Sequence, residues 1–308
     1  MAAEGKELPS VAILTVNYNS APYIGDFLAS LQAITYPNYR LVVVDNASAD
    51  GSPQEIPRLF PQAVLLRNEE NLGFTGGHNV GIRYCLEQGF DYVLFLNNDT
   101  VVKEDFLDRL LEGAAPRTML APKTYLHSQP HLLDDTVGDF DWRRGVWRGW
   151  LYAKPPPPDF DRPRQVGMAS LCCLLVPTAV FLDAGLMDER FFMYYEDFDF
   201  VARAKAAGYR LWLNPAAVIY HRKAAASGGV ASPFKVYYAT RNRLYLMKKH
   251  SSRWRWAAFL LYFFATRLGY VVAYPARGQG RQLGAMFRGV ADYFRGRLGR
   301  THQVADFG

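Results

Sequence analysis

Two clusters of acidic side chains follow bulky apolar residues and lie far apart in the chain. The first cluster, Asn97-Asn98-Asp99, directly follows the apolar run Tyr92–Leu96, and the second, Glu196-Asp197, directly follows Tyr194-Tyr195. Burying an ionised carboxylate is costly unless a metal, a proton or a cationic partner compensates for its charge. The two clusters therefore predict a metal-assisted group-transfer site to which both contribute.

Each acidic residue suits a different part of such chemistry. Asp99 is suited to hold a hard divalent cation that bridges the oxygens of a diphosphate leaving group. Glu196 or Asp197 can take a proton from an attacking hydroxyl as a general base. Two structural alternatives remain open, because Asp99 could cap the end of a strand and Asp197 could form a buried ion pair with Arg203.

Short apolar runs that alternate with helical patterns indicate the fold that would position these residues. Four runs predict buried strands, at residues 11–16, 41–44, 63–66 and 92–96, and helical spacing covers residues 23–32 and 77–88. This alternation predicts an α/β fold with a mostly parallel central sheet flanked by helices. Ligands of such sheets bind at the carboxyl ends of the strands, where polar residues collect here.

The second half of the predicted catalytic region is less regular. Residues 124–166 have no clear periodicity and contain the stiff spacer Pro155–Pro158. Four aromatic residues precede that spacer: Trp142, Trp147, Trp150 and Tyr152. Their rings either stack on a sugar in the site or pack on one another in a surface hairpin, and the sequence leaves both open. Beyond them we predict a strand at 171–176, a helix at 198–207, and strands at 211–213 and 217–220, with His221 directly after.

The charge of the chain is distributed unevenly. The net charge is +6, but residues 231–308 contain fourteen Lys or Arg against two acids, so this tail carries +12 and the first 230 residues carry −6. A basic tail on an acidic body indicates an anionic partner. The tail charges are interleaved with long apolar and aromatic runs, which favours an anionic membrane surface and argues against nucleic acid.

The apolar content of the tail indicates how it would meet a membrane. The segment Trp254–Tyr274 is long enough to span a bilayer, but Arg267 in its interior makes spanning costly, and Pro275 is expected to end it. Residues 283–298 then form an amphipathic pattern with arginines on the opposite face. We therefore expect the tail to lie on or dip into the bilayer; packing of this stripe on the catalytic body is the alternative.

These patterns predict the organisation and location of the protein. We expect a catalytic domain at residues 1–230, with a nucleotide-binding half (1–125) and an acceptor-binding half (126–230), followed by a basic, aromatic-rich helical tail at 231–308. The three cysteines are too few and too closely placed for a disulfide framework, and Met1–Ser10 holds no apolar run of signal-peptide length. We expect a cytoplasmic protein associated peripherally with the inner face of the cell membrane.

Five ordered segments of the chain resemble those of the family 2 glycosyltransferases, in particular the bacterial rhamnosyltransferase-like branch. The segments are Val16–Ser20, Val43–Ser52, Asn71–Asn79, Leu96–Thr100 and Asp188–Asp197. The resemblance covers about residues 10 to 250. It implies a GT-A fold, a nucleotide-diphosphate sugar donor, Mg²⁺ or Mn²⁺ as cofactor, and inversion at the anomeric carbon by a single displacement.

The resemblance also implies roles for individual residues. The predicted contacts to the nucleotide sugar are Asn17, Tyr18, Asn19, Asp45, Asn46, Asn71, Gly73, Phe74, Gly76, Gly77, Asn79, Asn97 and Asn98. Within this set, the glycine backbone of the 71–79 loop would approach the diphosphate. Asp99 matches the metal-binding acid of the family's Asp-x-Asp element, whose first carboxylate is replaced by Asn97 here. Asp197 matches the catalytic base, with Glu196 beside it. His221 lies where some relatives supply a further metal ligand; a structural histidine is the alternative.

The sequence therefore predicts a metal-dependent, inverting hexosyltransferase that modifies a hydroxyl of a lipid-linked or cell-envelope glycan, with dTDP-rhamnose as the first candidate donor. Two alternatives remain: a sugar nucleotidyltransferase, and a non-catalytic sugar-binding protein at the membrane. A dinucleotide-binding oxidoreductase is disfavoured because Asn17-Tyr18-Asn19-Ser20 replaces the glycine-rich turn such enzymes need after their first strand. The sequence leaves open the acceptor and whether the chain forms a homo-oligomer.

Overall fold

The structure is a computed structural model that describes residues 8–222, 232–302 and 306. The strands are β1 (Val11–Asn17), β2 (Tyr39–Asp45), β3 (Val64–Arg67), β4 (Tyr92–Leu96), β5 (Thr100–Val102), β6 (Thr118–Leu126), β7 (Gln129–Leu133), β8 (Val137–Asp141), β9 (Val146–Gly149), β10 (Arg164–Gln165), β11 (Met168–Ala169), β12 (Cys173–Pro177) and β13 (Arg210–His221). The helices are α1 (Ile24–Gln32), α2 (Ser52–Leu59), α3 (Gly73–Gln88), α4 (Phe106–Leu111), α5 (Val180–Asp183), α6 (Glu196–Ala206), α7 (Pro233–His250), α8 (Arg253–Ala276) and α9 (Gly280–Phe294).

A large mixed sheet forms the centre of the molecule. Its strand order is β10-β13-β6-β12-β4-β1-β2-β3, with β5 paired to β13 and β7 paired to β6. The strands β4, β1, β2 and β3 are parallel to one another, as the four apolar runs predict, whereas β12 is antiparallel to both of its neighbours. The carboxyl ends of β1, β2 and β4 therefore lie at one edge of the sheet.

The continuous apolar runs arise because the sheet is covered on both faces. Along β1, Val11 and Ile13 enter one core cluster, while Ala12 and Leu14 enter the other, as expected from the alternation of side chains along a strand. All four of these side chains are fully buried. Burial on both faces removes the polar alternation that a half-exposed strand would show.

The region 124–166 is more regular than predicted. It contains β7, β8 and β9, and a second sheet of order β11-β8-β9 forms beside the main one. The prediction of an irregular segment was wrong because β7 pairs with β6 and β8 pairs with both β9 and β11, and the local sequence does not reveal these partners. Similarly, residues 211–213 and 217–220 belong to the single strand β13, whose register with β6 shifts between Asn214 and Val218.

The C-terminal helices contact the body to different degrees. Helix α7 buries Tyr237 and Tyr238 completely and packs on α9. Helix α8 exposes a row of large apolar side chains: Trp254, Leu261, Phe264, Leu268 and Val272. Pro275 lies in the last turn of α8, which ends at the next residue, Ala276, so the predicted end of this helix is confirmed to within about one residue. The predicted domain boundary at residue 230 lies outside the described residues.

Helix α8 has the length and composition of a membrane segment. Among the residues that the structure describes, it is the one helix long and apolar enough to cross a bilayer, with a mean hydropathy of 1.5 in its most apolar stretch. Only 11% of that stretch is buried in the protein. Its apolar surface is thus left uncovered by the described part of the chain.

Candidate active site

A cavity of about 560 Å³ lies where the carboxyl ends of β1, β2 and β4 meet the beginnings of α3 and α6. Both acidic clusters line it: Asp99 from the turn after β4, and Glu196 and Asp197 from the first turn of α6. His221, the last residue of β13, lies beside Asp99 on its wall. The two clusters that the sequence places far apart therefore share one pocket.

The predicted site residues divide into two groups. Those that line the cavity are Tyr18, Asn46, Asn71, Gly73, Phe74, Asn97, Asn98, Asp99, Glu196, Asp197 and His221. Those that do not are Asn17, Asn19, Asp45, Gly76, Gly77 and Asn79. The second group forms the framework behind the cavity wall.

Asn17 is the centre of the polar framework at the ends of β1 and β2. Its fully buried side-chain amide donates to Asp45 Oδ1 at 2.8 Å and to Ser52 Oγ at 2.9 Å. Its carbonyl oxygen accepts from Asn98 Nδ2 at 3.0 Å. Asn19 instead holds the loop after β2, accepting from Ala49 N at 2.9 Å. These groups satisfy one another and fix the strand ends that carry the cavity-lining residues.

The glycine-rich segment 71–79 is helical from Gly73 onwards rather than a loop, and its contact with a diphosphate stays a prediction. The amides of Phe74 and Thr75 donate to the carbonyl of Phe192, at 2.8 and 3.3 Å, so the first helical N–H groups already have acceptors. Gly73 has φ +72°, and a Cβ there would lie 2.4 Å from the Phe192 ring. This glycine serves close packing of the two segments.

Further along α3, the remaining predicted contacts also serve packing. A Cβ on Gly76 would lie 2.7 Å from Leu72 Cβ, and one on Gly77 would lie 3.0 Å from Asn46 Nδ2. Asn79 exchanges two hydrogen bonds with the backbone of Met187, each 2.9 Å long. These residues tie α3 to the sheet and to the segment before α6.

Asp99 and His221 form a pair that could hold a cation. Asp99 Oδ1 is buried, lies 3.3 Å from His221 Nε2, and accepts no hydrogen bond from any described residue. On the other side of the ring, His221 Nδ1 lies 2.6 Å from Asp134 Oδ2. Burial lowers the pKa of His221, but Cys172 and the carboxylates of Asp134 and Asp99 raise it well above its usual value.

The donor set fits a divalent cation that takes its other ligands from substrate and water. An aspartate oxygen and an imidazole nitrogen converge, and a second carboxylate orients the imidazole, which is the usual arrangement behind a metal-bound histidine. No group of three or more His, Cys, Asp or Glu suited to a metal occurs within 8–222, 232–302 or at 306. Asp99 and His221 are thus the pair of side chains there that could hold a cation.

Glu196 and Asp197 lie in an environment that disfavours charge. Burial raises the pKa of Asp197 to about 7. Burial and the charge of Asp197 raise the pKa of Glu196 well above its usual value, and Glu196 Oε2 has no hydrogen-bond donor within the described part of the chain. Arg203 pairs with Asp199 at 2.9 Å, so the alternative of an Asp197–Arg203 ion pair is wrong. Asp197 is therefore poised to exchange a proton near neutral pH.

The backbone before α6 is strained. Phe192, Tyr194 and Tyr195 have φ values of +64°, +69° and +74°, a region that bulky side chains rarely occupy. Asn242 of α7 is fully buried, and its Nδ2 lies 2.8 Å from each of the carbonyl oxygens of Phe191, Met193 and Tyr194. Such strain persists only where the surrounding structure enforces it. Asn242 therefore holds the segment that delivers Glu196 and Asp197.

Asn242 and its neighbour Arg241 were not predicted to contribute to the site. Arg241 is also fully buried, and it donates to the carbonyl of Phe191 at 3.0 Å and to Asn242 Oδ1 at 2.9 Å. The sequence feature that could have indicated these two residues is the polar run Thr240–Arg243, which lies inside a helix otherwise rich in aromatic and aliphatic residues. Its partners, however, lie about fifty positions earlier in the chain.

The aromatic residues before the proline spacer have different roles. Trp147 lines the cavity, stacks on Phe198 with a 5.5 Å centroid distance, and donates from Nε1 to Asp135 Oδ2 at 2.7 Å. Trp142 packs on Phe140 at 4.6 Å, and Trp150 bonds to Asp139. One of the four rings thus reaches the cavity, and two others pack within the small sheet.

Sequence comparisons identify relatives along most of the chain. A family model described as glycosyl transferase family 2 matches residues 12–144. The N-acetylglucosaminyl-diphospho-decaprenol L-rhamnosyltransferase of Mycobacterium tuberculosis H37Rv is 30% identical over 267 residues, which cover 79% of this chain and 86% of the relative. The dTDP-rhamnosyl transferase RfbF of Shigella flexneri is 22% identical over 248 residues, 78% of this chain and 81% of the relative.

Solved structures show a similar architecture. The crystal structure of GalNAc-T7 with UDP, GalNAc and Mn²⁺ matches with a TM-score of 0.65 at 15% identity. The match covers 85% of this chain and 51% of that protein, so this chain spans about half of its length. The mannosyltransferase PcManGT of Pyrobaculum calidifontis, in complex with GDP-Man and Mn²⁺, gives a TM-score of 0.56 at 14% identity. This match covers 93% of this chain and 87% of the mannosyltransferase. At such identities the likeness shows the fold alone, and that fold is GT-A.

Proposed function

Because the chain belongs to glycosyltransferase family 2, we propose that it transfers a sugar, with inversion, from a nucleotide-diphosphate donor to a hydroxyl of a lipid-linked glycan. The observation that carries this proposal is the shared cavity, lined by Asp99 and His221 as well as by Asp197. Asp99 and His221 suit the departing diphosphate, and Asp197 suits the incoming alcohol.

Asp197 is the proposed general base. The acceptor oxygen forms a bond to the anomeric carbon of the donor while the bond from that carbon to the diphosphate oxygen breaks. The hydroxyl proton passes to Asp197, and the nucleoside diphosphate leaves with the bonding electrons. Since burial brings the pKa of Asp197 to about 7, about half of this carboxylate is ionised at neutral pH, and the ionised form is basic enough to accept the proton. Burial and the charge of Asp197 raise the pKa of Glu196 well above its usual value, which favours the neutral form of this side chain.

Asp99 and His221 are the proposed ligands of Mg²⁺ or Mn²⁺. The buried, unbonded Oδ1 of Asp99 and its 3.3 Å separation from His221 Nε2 support this assignment. When bound, the cation offsets the negative charge that develops on the diphosphate. Asp134 fixes the histidine ring so that Nε2 faces Asp99. Replacement of the family's first aspartate by Asn97 removes one carboxylate, and His221 supplies a ligand in compensation.

Two relatives suggest the substrates. One relative is a rhamnosyltransferase that acts on an N-acetylglucosaminyl-diphospho-lipid, and the other is a dTDP-rhamnosyl transferase. We infer dTDP-rhamnose as donor and a diphosphate-linked N-acetylglucosaminyl lipid as acceptor for this chain. Trp147, which faces the cavity, offers an aromatic surface for a sugar ring.

The substrate assignment is tested by incubating the full chain with Mn²⁺, the acceptor N-acetylglucosaminyl-diphospho-lipid, and a panel of nucleotide sugars. We expect a disaccharide-lipid product and free dTDP with dTDP-rhamnose. Release of inorganic pyrophosphate in a parallel incubation with a nucleoside triphosphate and a sugar 1-phosphate would indicate a nucleotidyltransferase. Absence of turnover in both incubations would favour a non-catalytic binding protein.

We further propose that α8 attaches the protein to the inner face of the cell membrane. The support is its row of exposed apolar side chains and the excess of basic residues in the tail. Replacing Leu261 and Leu268 with Glu should abolish co-flotation with phosphatidylglycerol vesicles. Leu182→Glu is the matched control, because Leu182 is as exposed as Leu261, at 76%, but lies on α5. Equal flotation of all variants would refute the attachment.

A further inference from the structure

Two arginines, Arg243 on α7 and Arg267 on α8, lie close together where the membrane-facing helix meets the catalytic body. The guanidinium carbon of Arg243 is 5.4 Å from the centroid of the Phe263 ring, and that of Arg267 is 4.5 Å from the same centroid. The two positive charges are therefore no more than about 10 Å apart. Arg243 is only 6% exposed.

Among the residues that the structure describes, neither guanidinium forms an ion pair with a carboxylate, and both lie against the Phe263 ring. Arg243 donates to the carbonyl oxygen of Arg144, and Arg267 Nε is buried without a hydrogen-bond acceptor among the described residues. Burial and the charge of Arg243 both lower the pKa of Arg267. Arg243 is buried and Arg267 is half-buried, so an anion placed between them would meet two positive charges that no carboxylate among the described residues offsets.

The cluster lies next to the cavity. Tyr195, which lines the cavity immediately before Glu196 and Asp197, donates from its hydroxyl to the carbonyl of Gly145 at 3.3 Å. The preceding residue, Arg144, contacts Arg243 and also places its guanidinium 5.9 Å from the centroid of the Tyr262 ring. A chain of contacts through Tyr195, Gly145 and Arg144 thus links the cavity wall to Arg243.

The cluster also lies beside an apolar surface. Arg267 is flanked along α8 by Phe264 and Leu268, both exposed to solvent. A ligand with its anionic group at the arginines could therefore extend an apolar chain along α8 and a sugar toward Asp197. A lipid that carries a diphosphate between an apolar chain and a sugar has this arrangement of groups.

We propose that Arg267, supported by Arg243, binds the diphosphate of the lipid-linked acceptor. This inference rests on the proposed function, because it concerns the substrate that receives the sugar. Arginine suits the role, since its planar guanidinium donates two parallel hydrogen bonds to phosphate oxygens. The arginines thereby set the distance between the membrane-held part of the acceptor and the hydroxyl that reacts.

The first test measures binding of farnesyl diphosphate to the full chain in EDTA, so that metal-dependent binding at the donor site does not contribute. Arg267→Gln should weaken binding at least tenfold. Arg253→Gln is the matched control, because it removes the same charge from an exposed position on the same helix, and it should change the affinity less than twofold. Equal losses in the two variants, or equal binding of farnesol and farnesyl diphosphate by the unmodified chain, would overturn the proposal.

A second arm separates the lipid diphosphate from other sources of phosphate. Inorganic pyrophosphate should bind much more weakly than farnesyl diphosphate, because it lacks the apolar chain. Phosphatidylglycerol vesicles should bind the Arg267→Gln variant as well as the Arg253→Gln variant. A selective loss of vesicle binding in the Arg267 variant would show that this arginine binds the headgroup of a membrane lipid, and would overturn the proposal.

The third arm uses sugar transfer. With a diphosphate-linked acceptor, Arg267→Gln should raise the acceptor KM about tenfold without changing the donor KM. With octyl N-acetylglucosaminide, which has no diphosphate, the variant should match the unmodified protein. An unchanged acceptor KM would overturn the proposal. Absence of transfer by the unmodified protein would refute the proposed function instead, while the binding tests would still decide the role of Arg267.

Discussion

The buried amide of Asn242 provides a sharp test of how the catalytic segment is held in place. Its Nδ2 carries two hydrogens and lies 2.8 Å from three carbonyl oxygens in the segment 191–194. Replacement by Ala removes these donors; the carbonyl of Phe191 keeps its hydrogen bond from Arg241, but the carbonyls of Met193 and Tyr194 lose theirs. A buried acceptor without a partner costs about 1 to 3 kcal/mol, so we expect a total loss of about 2 to 4 kcal/mol of stability.

The larger consequence concerns the strained backbone. Each residue held in a sparsely populated region costs on the order of 1 to 3 kcal/mol, and Phe192, Tyr194 and Tyr195 are three such residues. Without the amide, this strain drives the segment to relax, and Asp197 moves with it. Because a shift of about 1 Å at a catalytic group can lower the rate about 100-fold, we expect a decrease in kcat of about that size.

The assay compares Asn242→Ala with Leu244→Ala, a fully buried position on the same helix. The leucine variant should lose about 2 to 5 kcal/mol of unfolding free energy through its cavity but retain most of its kcat. The Asn242 variant should lose kcat, and the apparent pKa of its pH–rate profile should fall as water reaches Asp197. Equal kcat values in both variants, or an unchanged pH profile, would refute the positioning role.

Three further predictions follow from the site. Below pH 7, kcat/KM should fall about tenfold per pH unit, because burial raises the pKa of Asp197 to about 7 and protonation removes the base; a pH–rate profile measures this. Asp134→Asn should lower the apparent Mn²⁺ affinity about 10- to 100-fold in a metal titration of activity, because Asp134 orients His221. Gly73→Ala should destabilise the protein more than Gly51→Ala in urea unfolding, because both glycines have positive φ but only Gly73 is crowded.

A different experimental result would contradict each of these three predictions. A rate that stays constant down to pH 5 would exclude Asp197 as the titrating base. Unchanged Mn²⁺ activation in the Asp134 variant would mean that the histidine does not bind the metal. Equal unfolding free energies for the two glycine variants would mean that the contact between α3 and Phe192 relaxes without cost.

The sequence predicts the parallel core of the fold well, because that core has a strong local signal. The runs at 11–16, 41–44 and 92–96 are apolar except for Thr15, since the strands they form are covered on both faces. Helix α2 was missed because it contains Pro57 in its interior. The small second sheet was missed because its pairing with β11 joins residues about thirty positions apart.

The candidate site was predicted in part for a similar reason. Residues at the carboxyl ends of parallel strands must lie near one another, so Asn46, Asn98 and Asp99 could be placed together. The sequence could not distinguish the amides that face the cavity from those, such as Asn17 and Asn79, that bond to the framework behind it. That distinction depends on side-chain direction, which only the folded neighbours determine.

The most direct test of the account is the effect of Asp197→Asn on kcat at saturating donor and acceptor with Mn²⁺ present. The change keeps the size of the side chain but removes the base, and general-base catalysis typically contributes about 10² to 10⁴ in rate. We expect kcat to fall by at least 10³ while the donor Kd changes less than threefold. A variant that retains more than a tenth of the original kcat would contradict the assignment of Asp197 as the base.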